Sequence, residues 1–507
     1  MPAGAPVSLD GLRREGESFM RALSLEFYRA QSGLAARAEL RPIYERHAAL
    51  TSDDALAITR EAFLGSTPGS DDHRSARALL EWVADIRVSR ALASIDERQM
   101  AWESTAMVAL EDGRRLPYSR ITIDIANTAD RAERLMLERA RNALVRQELA
   151  PLMRERFQRE RDLTEELEIA NGYVATIQAL GGIDLGALVA QCEQFLRDTQ
   201  SMWFDVAGAR VQKMLGIPLR DATRADGIAL LRAPELDRFF PAREMEPRVR
   251  GQVAEMGSDA TAAGRIVYDT GERDGKRSRA FCAPVRIPEE VYLVMRPTGG
   301  QQDYRSLLHE LGHAMHFAYT RADLPFEQRW LGDNSVTESY AMLFDHQLHD
   351  GGWLERYTEV EKPHVPEMLR AVAFEELQLL RRYCAKIIYE RELYDGSVPF
   401  TALPDLYVET LSKATGFRYD AADAFADVDP RFYSARYLRA WQLQALLRET
   451  LIAAFDDDWW RNPRAGPWLT DELFSRGQSE LAAELAARVS GQALSFAPLV
   501  RTLERML

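Results

Sequence analysis

The chain has 507 residues, 46% of them hydrophobic, and a formal charge of −14. That length buries one large core or about two to three domains; the acidity disfavours polyanions, so nucleic-acid binding has no support, and no apolar run approaches the roughly 18 residues of a membrane span. Three widely spaced cysteines, Cys192, Cys282 and Cys384, read as reduced thiols of a cytoplasmic protein, not as a disulfide frame or a second metal site.

The opening MPAGAPVSLDGLRREGE has no basic segment followed by an apolar one and does not read as a secretory leader. Beyond it the chain is dominated by helical periodicity. Between Ser75 and Met100, Leu79, Trp82, Val83 and Ile86 share one stripe. A longer pattern opens after Asn127, with Asp130 as its capping residue, and runs to Glu168; Pro151 is expected to kink or split it. Its many Arg and Glu residues read as a solvated face stitched by i, i+4 pairs. Gly181-Gly182 ends that run before a helix expected over Leu185–Val211. The basic residues are 59 Arg to 5 Lys, the bias of a GC-rich bacterial genome. No internal repeat is visible, and residues 1–200, without motifs, are expected to form an N-terminal helical region distinct from 201–507.

The texture changes near Gly264. GRIVYD, RAFCAPV and EVYLVM are short, rich in β-branched and aromatic residues and separated by turn residues, so a small sheet is expected over about 264–296. An edge strand of such a sheet can pair with the backbone of an extended peptide. The loop PTGGQQD, with Gly299 and Gly300, is expected to flex around substrate. Helices return after Gly351, with Trp459-Trp460 as core aromatics.

Between sheet and C-terminal helices lies HELGHAMH, His309 to His316. On a helix, residues four apart share a face, so His309 and His313 can converge on one metal ion, with Glu310 beside its open position as a general base for water. Leu307, Leu308 and Leu311 suit a packed helix, and Gly312 lets another backbone or a substrate come close. A third ligand is needed. Glu338, 25 residues after His313 in DNSVTESYAMLFDHQL, sits in a helix expected to begin near Asn334 or Ser335. The extended motif H-E-x-x-H-x-x-G-x-x-H fails, because positions 316 and 319 hold His316 and Tyr319. His316 would crowd the ion and reads as pocket lining or packing. Asp345, two turns after Glu338, is a candidate to orient a ligand histidine or line the pocket.

The combination DYRSLLHELGHAMH, TESYAMLFD and FYSARY resembles the thimet oligopeptidase and oligopeptidase F family of zinc metallopeptidases, over roughly 264–441. The resemblance implies a mainly α, two-lobed body with a deep substrate channel and a small sheet beside the HExxH helix. It also implies one Zn²⁺ per chain on His309, His313 and Glu338, short peptides as substrates, and oxyanion support from Tyr433 and Tyr437. Two departures stand out. Family members carry a histidine shortly before those tyrosines, whereas here the segment reads DVDPRFYSARY and no histidine follows His364. Thimet-type members carry a further tyrosine where Ala440 stands. Tyr433 and Tyr437, four apart, are expected on one face of a helix over Phe432–Thr450 that follows Pro430.

The activity expected from these residues is hydrolysis of short peptides by zinc-activated water, with Glu310 as base. Two other readings fit the same residues. One is a Taq-type zinc carboxypeptidase, also helical and built on HExxH. The other is a non-catalytic peptide-binding protein, which the intact Glu310 argues against. An extracellular general protease is disfavoured by the missing leader.

Overall fold

The computed structural model describes residues 8–232 and 234–507. The first seven residues, on which part of the leader reading rests, lie outside the described residues. Helices account for most of the chain. Among the described residues strand is limited to five short segments: β1 (Met107–Ala109), β2 (Arg115–Pro117), β3 (Ile266–Asp269), β4 (Phe281–Arg286) and β5 (Glu290–Val294). The chain is mainly α, as its periodicity implies.

Several helices follow their local signals closely. The Asp130 side chain accepts from Glu133 N at 2.8 Å and caps the helix Arg131–Leu144. Pro151 lacks the N–H that would continue the ladder, and the chain passes through a wider turn at Val145–Leu149 before resuming as Ala150–Glu165. The helix expected over Leu185–Val211 is instead two, Leu185–Asp198 and Gln200–Leu215. Thr199 breaks it by turning its hydroxyl back onto Phe195 O. No single helix is long and apolar enough to cross a membrane.

Packing gathers the chain into two compact units, each drawn from separated stretches. One is Met1–Ile86, Pro234–Leu369 and Arg439–Leu499; the other is Arg87–Ala233, Arg370–Leu438 and Val500–Leu507. Neither unit is a contiguous half of the kind implied by a division at residue 200. Contacts remote in sequence decide membership. Arg13 pairs with Glu327 at 2.8 Å within the first unit, and Trp203 Nε1 donates to Thr415 O at 2.9 Å within the second.

In the first unit, Leu12, Phe19, Leu79, Trp82, Val83, Phe326 and Trp330 form one buried cluster. The three expected strands form a sheet with β5 at its centre. β3 runs parallel to β5, with Ile266 opposite Val291, and β4 runs antiparallel, with Phe281 opposite Val294. In the second unit β1 and β2 form a hairpin that turns at Gly113 (φ +89°), a small element with no counterpart in the sequence reading.

Candidate metal centre

The motif helix runs from Gln301 to Tyr319 in the first unit. Its start is pinned. Asp303 Oδ2 accepts from Gly299 N at 2.8 Å, and Gln301 N donates to Asp237 Oδ1 at 3.1 Å. Gly300 (φ +95°) comes so close to Asp237 that a Cβ would stand 2.8 Å from its Oδ1. The loop expected to flex is held by these bonds.

Glu338 sits on the helix Asn334–Asp345, capped by Asp333, whose Oδ1 accepts from Ser335 N at 3.0 Å. The same carboxylate accepts from Ala482 N at 3.0 Å and pairs with Arg439 at 3.1 Å. The two helices touch at Gly312, where a Cβ would fall 2.6 Å from both Ala341 Cα and Tyr340 O. The close approach allowed by this glycine is to a backbone, and it sets how the histidines meet Glu338.

The Nε2 atoms of His309 and His313 lie 3.6 and 3.8 Å from Glu338 Oε2. One donor atom from each residue falls within 4.8 Å of the others. A tetrahedral ion with bonds of about 2.1 Å sets its donors about 3.4 Å apart, so this nitrogen, nitrogen, oxygen set fits zinc with small adjustment. The outer bonds fix the tautomers. Ionised Asp345 can only accept, so His309 Nδ1–H donates to its Oδ2 at 2.8 Å, which turns Nε2 towards Glu338. His313 Nδ1 bonds Thr337 Oγ1 at 2.9 Å, and the same hydroxyl reaches His316 Nδ1 at 3.2 Å. With His313 donating to Thr337 and Thr337 donating to His316, all three groups take compatible roles.

Electrostatics point the same way. Burial alone would lower the His309 pKa, but hydrogen bonds to Asp345 and Glu338 outweigh it and push the imidazole up to about 10. Burial opposes ionisation of Asp345, yet His346, with Nδ1 2.5 Å from Oδ1, and His309 hold its carboxyl far below the usual range. Burial lowers His313 in spite of Glu338. Three carboxylates, Glu310, Glu338 and Asp345, thus act on His309, and the cluster attracts a cation. Burial pushes the Cys282 thiol up, and the charge of Glu310 adds to it, which places β4 beside the half-buried Glu310.

His316 is fully buried, edge-on to Tyr340 with ring centres 4.9 Å apart, and burial takes it down to about 3. Its Nε2 faces the Gly477 backbone without a well-formed bond. It packs and props Thr337; it does not line an open pocket. Tyr433 and Tyr437 belong to the second unit, on the helix Tyr433–Phe455, with rings 5.0 Å apart at 80°. The turn before them is held in an unusual shape. Arg431 and Phe432 have φ of +55° and +54°, Arg431 N donates to Tyr173 Oη at 3.2 Å, and Asp429 N donates to Glu390 Oε1 at 2.8 Å. The sequence reading missed Thr337 and the contact of His346 with Asp345. The bare motif carries no signal for either.

No protein-family profile matches the sequence, and no curated protein sequence does. The fold itself is similar to a solved structure, an M32 carboxypeptidase from Deinococcus radiodurans R1, at a TM-score of 0.62 and 15% identity, over 98% of each chain. At that identity the likeness establishes a shared fold. The resemblance to the oligopeptidase F family is not carried further by it.

Proposed function

We propose that this chain is a zinc-dependent peptidase that shortens small peptides. One observation carries the reading: two imidazoles, each oriented by a bond at Nδ1, direct Nε2 at a single carboxylate. His309, His313 and Glu338 would hold the ion, which supplies a Lewis acid for the scissile carbonyl and a water acidified towards neutrality. Glu310, next to His309 in sequence, takes the proton of the attacking water and returns it to the leaving amine. Tyr433 and Tyr437 are the candidate donors to the oxyanion. A Tyr→Phe change at one of them is expected to lower kcat by roughly 10- to 1000-fold with little change in KM. Wild-type turnover in both single variants and the double variant would assign the pair to the core. Three free cysteines suit action in the reducing cytoplasm.

The cleavage mode we favour is release of C-terminal residues, because the likeness to the Deinococcus radiodurans carboxypeptidase spans nearly the whole of both chains. A second reading, internal cleavage, is favoured by TESYAMLFD and FYSARY. Mass spectrometry of a digested peptide library separates them. Ladders that lose one C-terminal residue at a time support the first, and paired internal fragments support the second. No zinc-dependent product from any peptide would support a non-catalytic peptide binder and sink both.

A further inference from the structure

The two tyrosines that the proposed reaction calls on leave a turn that the backbone does not favour. Arg431 and Phe432 follow one another at φ of +55° and +54°, a conformation that residues other than glycine keep only where neighbours hold it. One buried side chain reaches both ends of this turn. Glu390, fully buried on the helix Val365–Asp395, accepts from Asp429 N at 2.8 Å through Oε1 and from Ser434 Oγ through Oε2. Asp429 precedes the left-handed pair, and Ser434 stands between Tyr433 and Tyr437 on their helix. The same face of the Glu390 helix continues the contact. Lys386, one turn before Glu390, pairs with Asp429 Oδ2 at 2.8 Å and lies 5.4 Å from the centre of the Tyr383 ring. Tyr383 in turn stands edge-on to Tyr437, with ring centres 5.9 Å apart. The middle of the turn is held from elsewhere: Arg431 N donates to Tyr173 Oη at 3.2 Å, which donates to Glu160 Oε1 at 2.9 Å. A buried carboxyl that only filled space would cost more than an apolar side chain there. In Glu390 both oxygens are engaged by the segment that carries the tyrosines.

We propose that Glu390 is a positioning residue for Tyr433 and Tyr437: by bridging Asp429 N and Ser434 Oγ it fixes how their helix leaves the turn, and with it the place of both phenols. The proposal rests on the reading of those tyrosines as donors to the oxyanion. A donor displaced by about 1 Å loses much of a bond made mainly in the transition state, while peptide binding through other contacts is left alone. The loss therefore falls on kcat.

Steady-state kinetics of the zinc-loaded full chain test this. Glu390→Leu, which has no acceptor, should lower kcat roughly 10- to 100-fold with KM and zinc content little changed. Glu390→Gln should restore most of that loss, because its carbonyl can accept from Asp429 N while its amide donates to Ser434 Oγ. Ser434→Ala frees one end only, keeps the test open if the Leu variant does not fold, and should lower kcat by a smaller factor. With both tyrosines changed to Phe, neither substitution should lower kcat further. Hydrogen exchange in peptides spanning 429–437 should speed up in Glu390→Leu and Ser434→Ala, and peptides of the helix Gln301–Tyr319 should not change. Unchanged exchange over 429–437 overturns the bridge. Losses in kcat that multiply with those of the Tyr→Phe variants overturn the route through the tyrosines. Faster exchange at wild-type kcat overturns the positioning role, and Tyr→Phe variants that lower kcat in the same assay place the failure there. Tyr→Phe variants at wild-type turnover, or a wild type without turnover, show instead that the reading of the tyrosines has failed, and the proposal falls with it.

Discussion

Two buried charged clusters in this chain are built on opposite principles. In the first unit, Glu310, Glu338 and Asp345 act together on one imidazole, and the largest influences on His309, His313 and Asp345 come from no Lys or Arg. In the second unit the aspartates Asp423, Asp427 and Asp429 are each met by a cation. Asp423 meets Arg141 at 2.5 Å and Arg224 at 3.0 Å, Asp427 pairs with Arg382 and accepts from Tyr407 Oη at 2.8 Å, and Asp429 meets Lys386 at 2.8 Å. Desolvated charge is tolerated in a protein interior when it is paired. The second cluster is complete in its own side chains, whereas the first would be completed by the cation proposed above. Burial and charge density alike mark both, and net balance is what separates the structural network from the proposed metal site.

That contrast can be broken from either side. The largest effect should come from Glu310→Gln, which removes the proton acceptor while leaving the metal donors in place. Turnover should drop by about 10²- to 10⁴-fold with zinc content and thermal stability unchanged. Near-normal turnover would show that the base lies elsewhere. Next comes Asp427→Asn, which strands Arg382 without its carboxylate. Breaking such a buried pair costs about 3–5 kcal/mol, to be read as a lower urea midpoint at unchanged zinc content. Burial disfavours the Asp427 charge, but Arg382, Lys386 and Arg224 outweigh it and hold its pKa well below the ordinary value of 3.8. Its stabilisation is therefore fully present above that value and lost as pH falls through the lower folded-state pKa. Loss of zinc in this variant would mean that the two clusters are not independent.

Asp345→Asn tests the other side. It removes an acid from the unbalanced cluster and loosens the His309 tautomer. Changes at such outer partners cost about 10- to 100-fold in metal affinity. Competition against a chromogenic chelator would measure it, and wild-type affinity would show that His309 is oriented by other contacts.

The residues that were legible in the sequence are those whose relations are local. The i, i+4 spacing of His309 and His313 follows from helix geometry alone, and Glu338 stands out because Asp333, Asn334 and Ser335 announce a helix start just before it. The three strands around Pro284 were legible for the same reason, since β-branched and aromatic runs are broken by turn residues. Thr337 was not. It matters because Gly312 lets two helices close to backbone contact, and that crossing brings a hydroxyl against two imidazoles 21 and 24 residues away. The interleaved units were illegible too, because Trp203–Thr415 and Arg13–Glu327 are pairings across hundreds of residues that no local period encodes.

The smallest expected effect is also the most direct reading of the unbalanced cluster. With His309 raised to about 10 and His313 lowered from 6.5, the metal-free protein at pH 8 carries its extra proton on His309. A raised imidazole pKa gives the metal-free fold a stabilisation that is fully present below 6.5 and is lost as pH rises through about 10. Zinc needs the Nε2 lone pair, so uptake must expel that proton. Calorimetric titration of the metal-free protein with zinc, in buffers of different ionisation enthalpy, should therefore show about one proton released from His309 near pH 8, fading above pH 10. Over the same range the thermal midpoint of the metal-free protein should fall with rising pH while that of the zinc-loaded protein stays level, because the ion has taken the place of the proton. Release of no proton near pH 8 would mean that His309 is already neutral there. The carboxylates around it would then not create the demand for a cation that distinguishes this cluster from the balanced one.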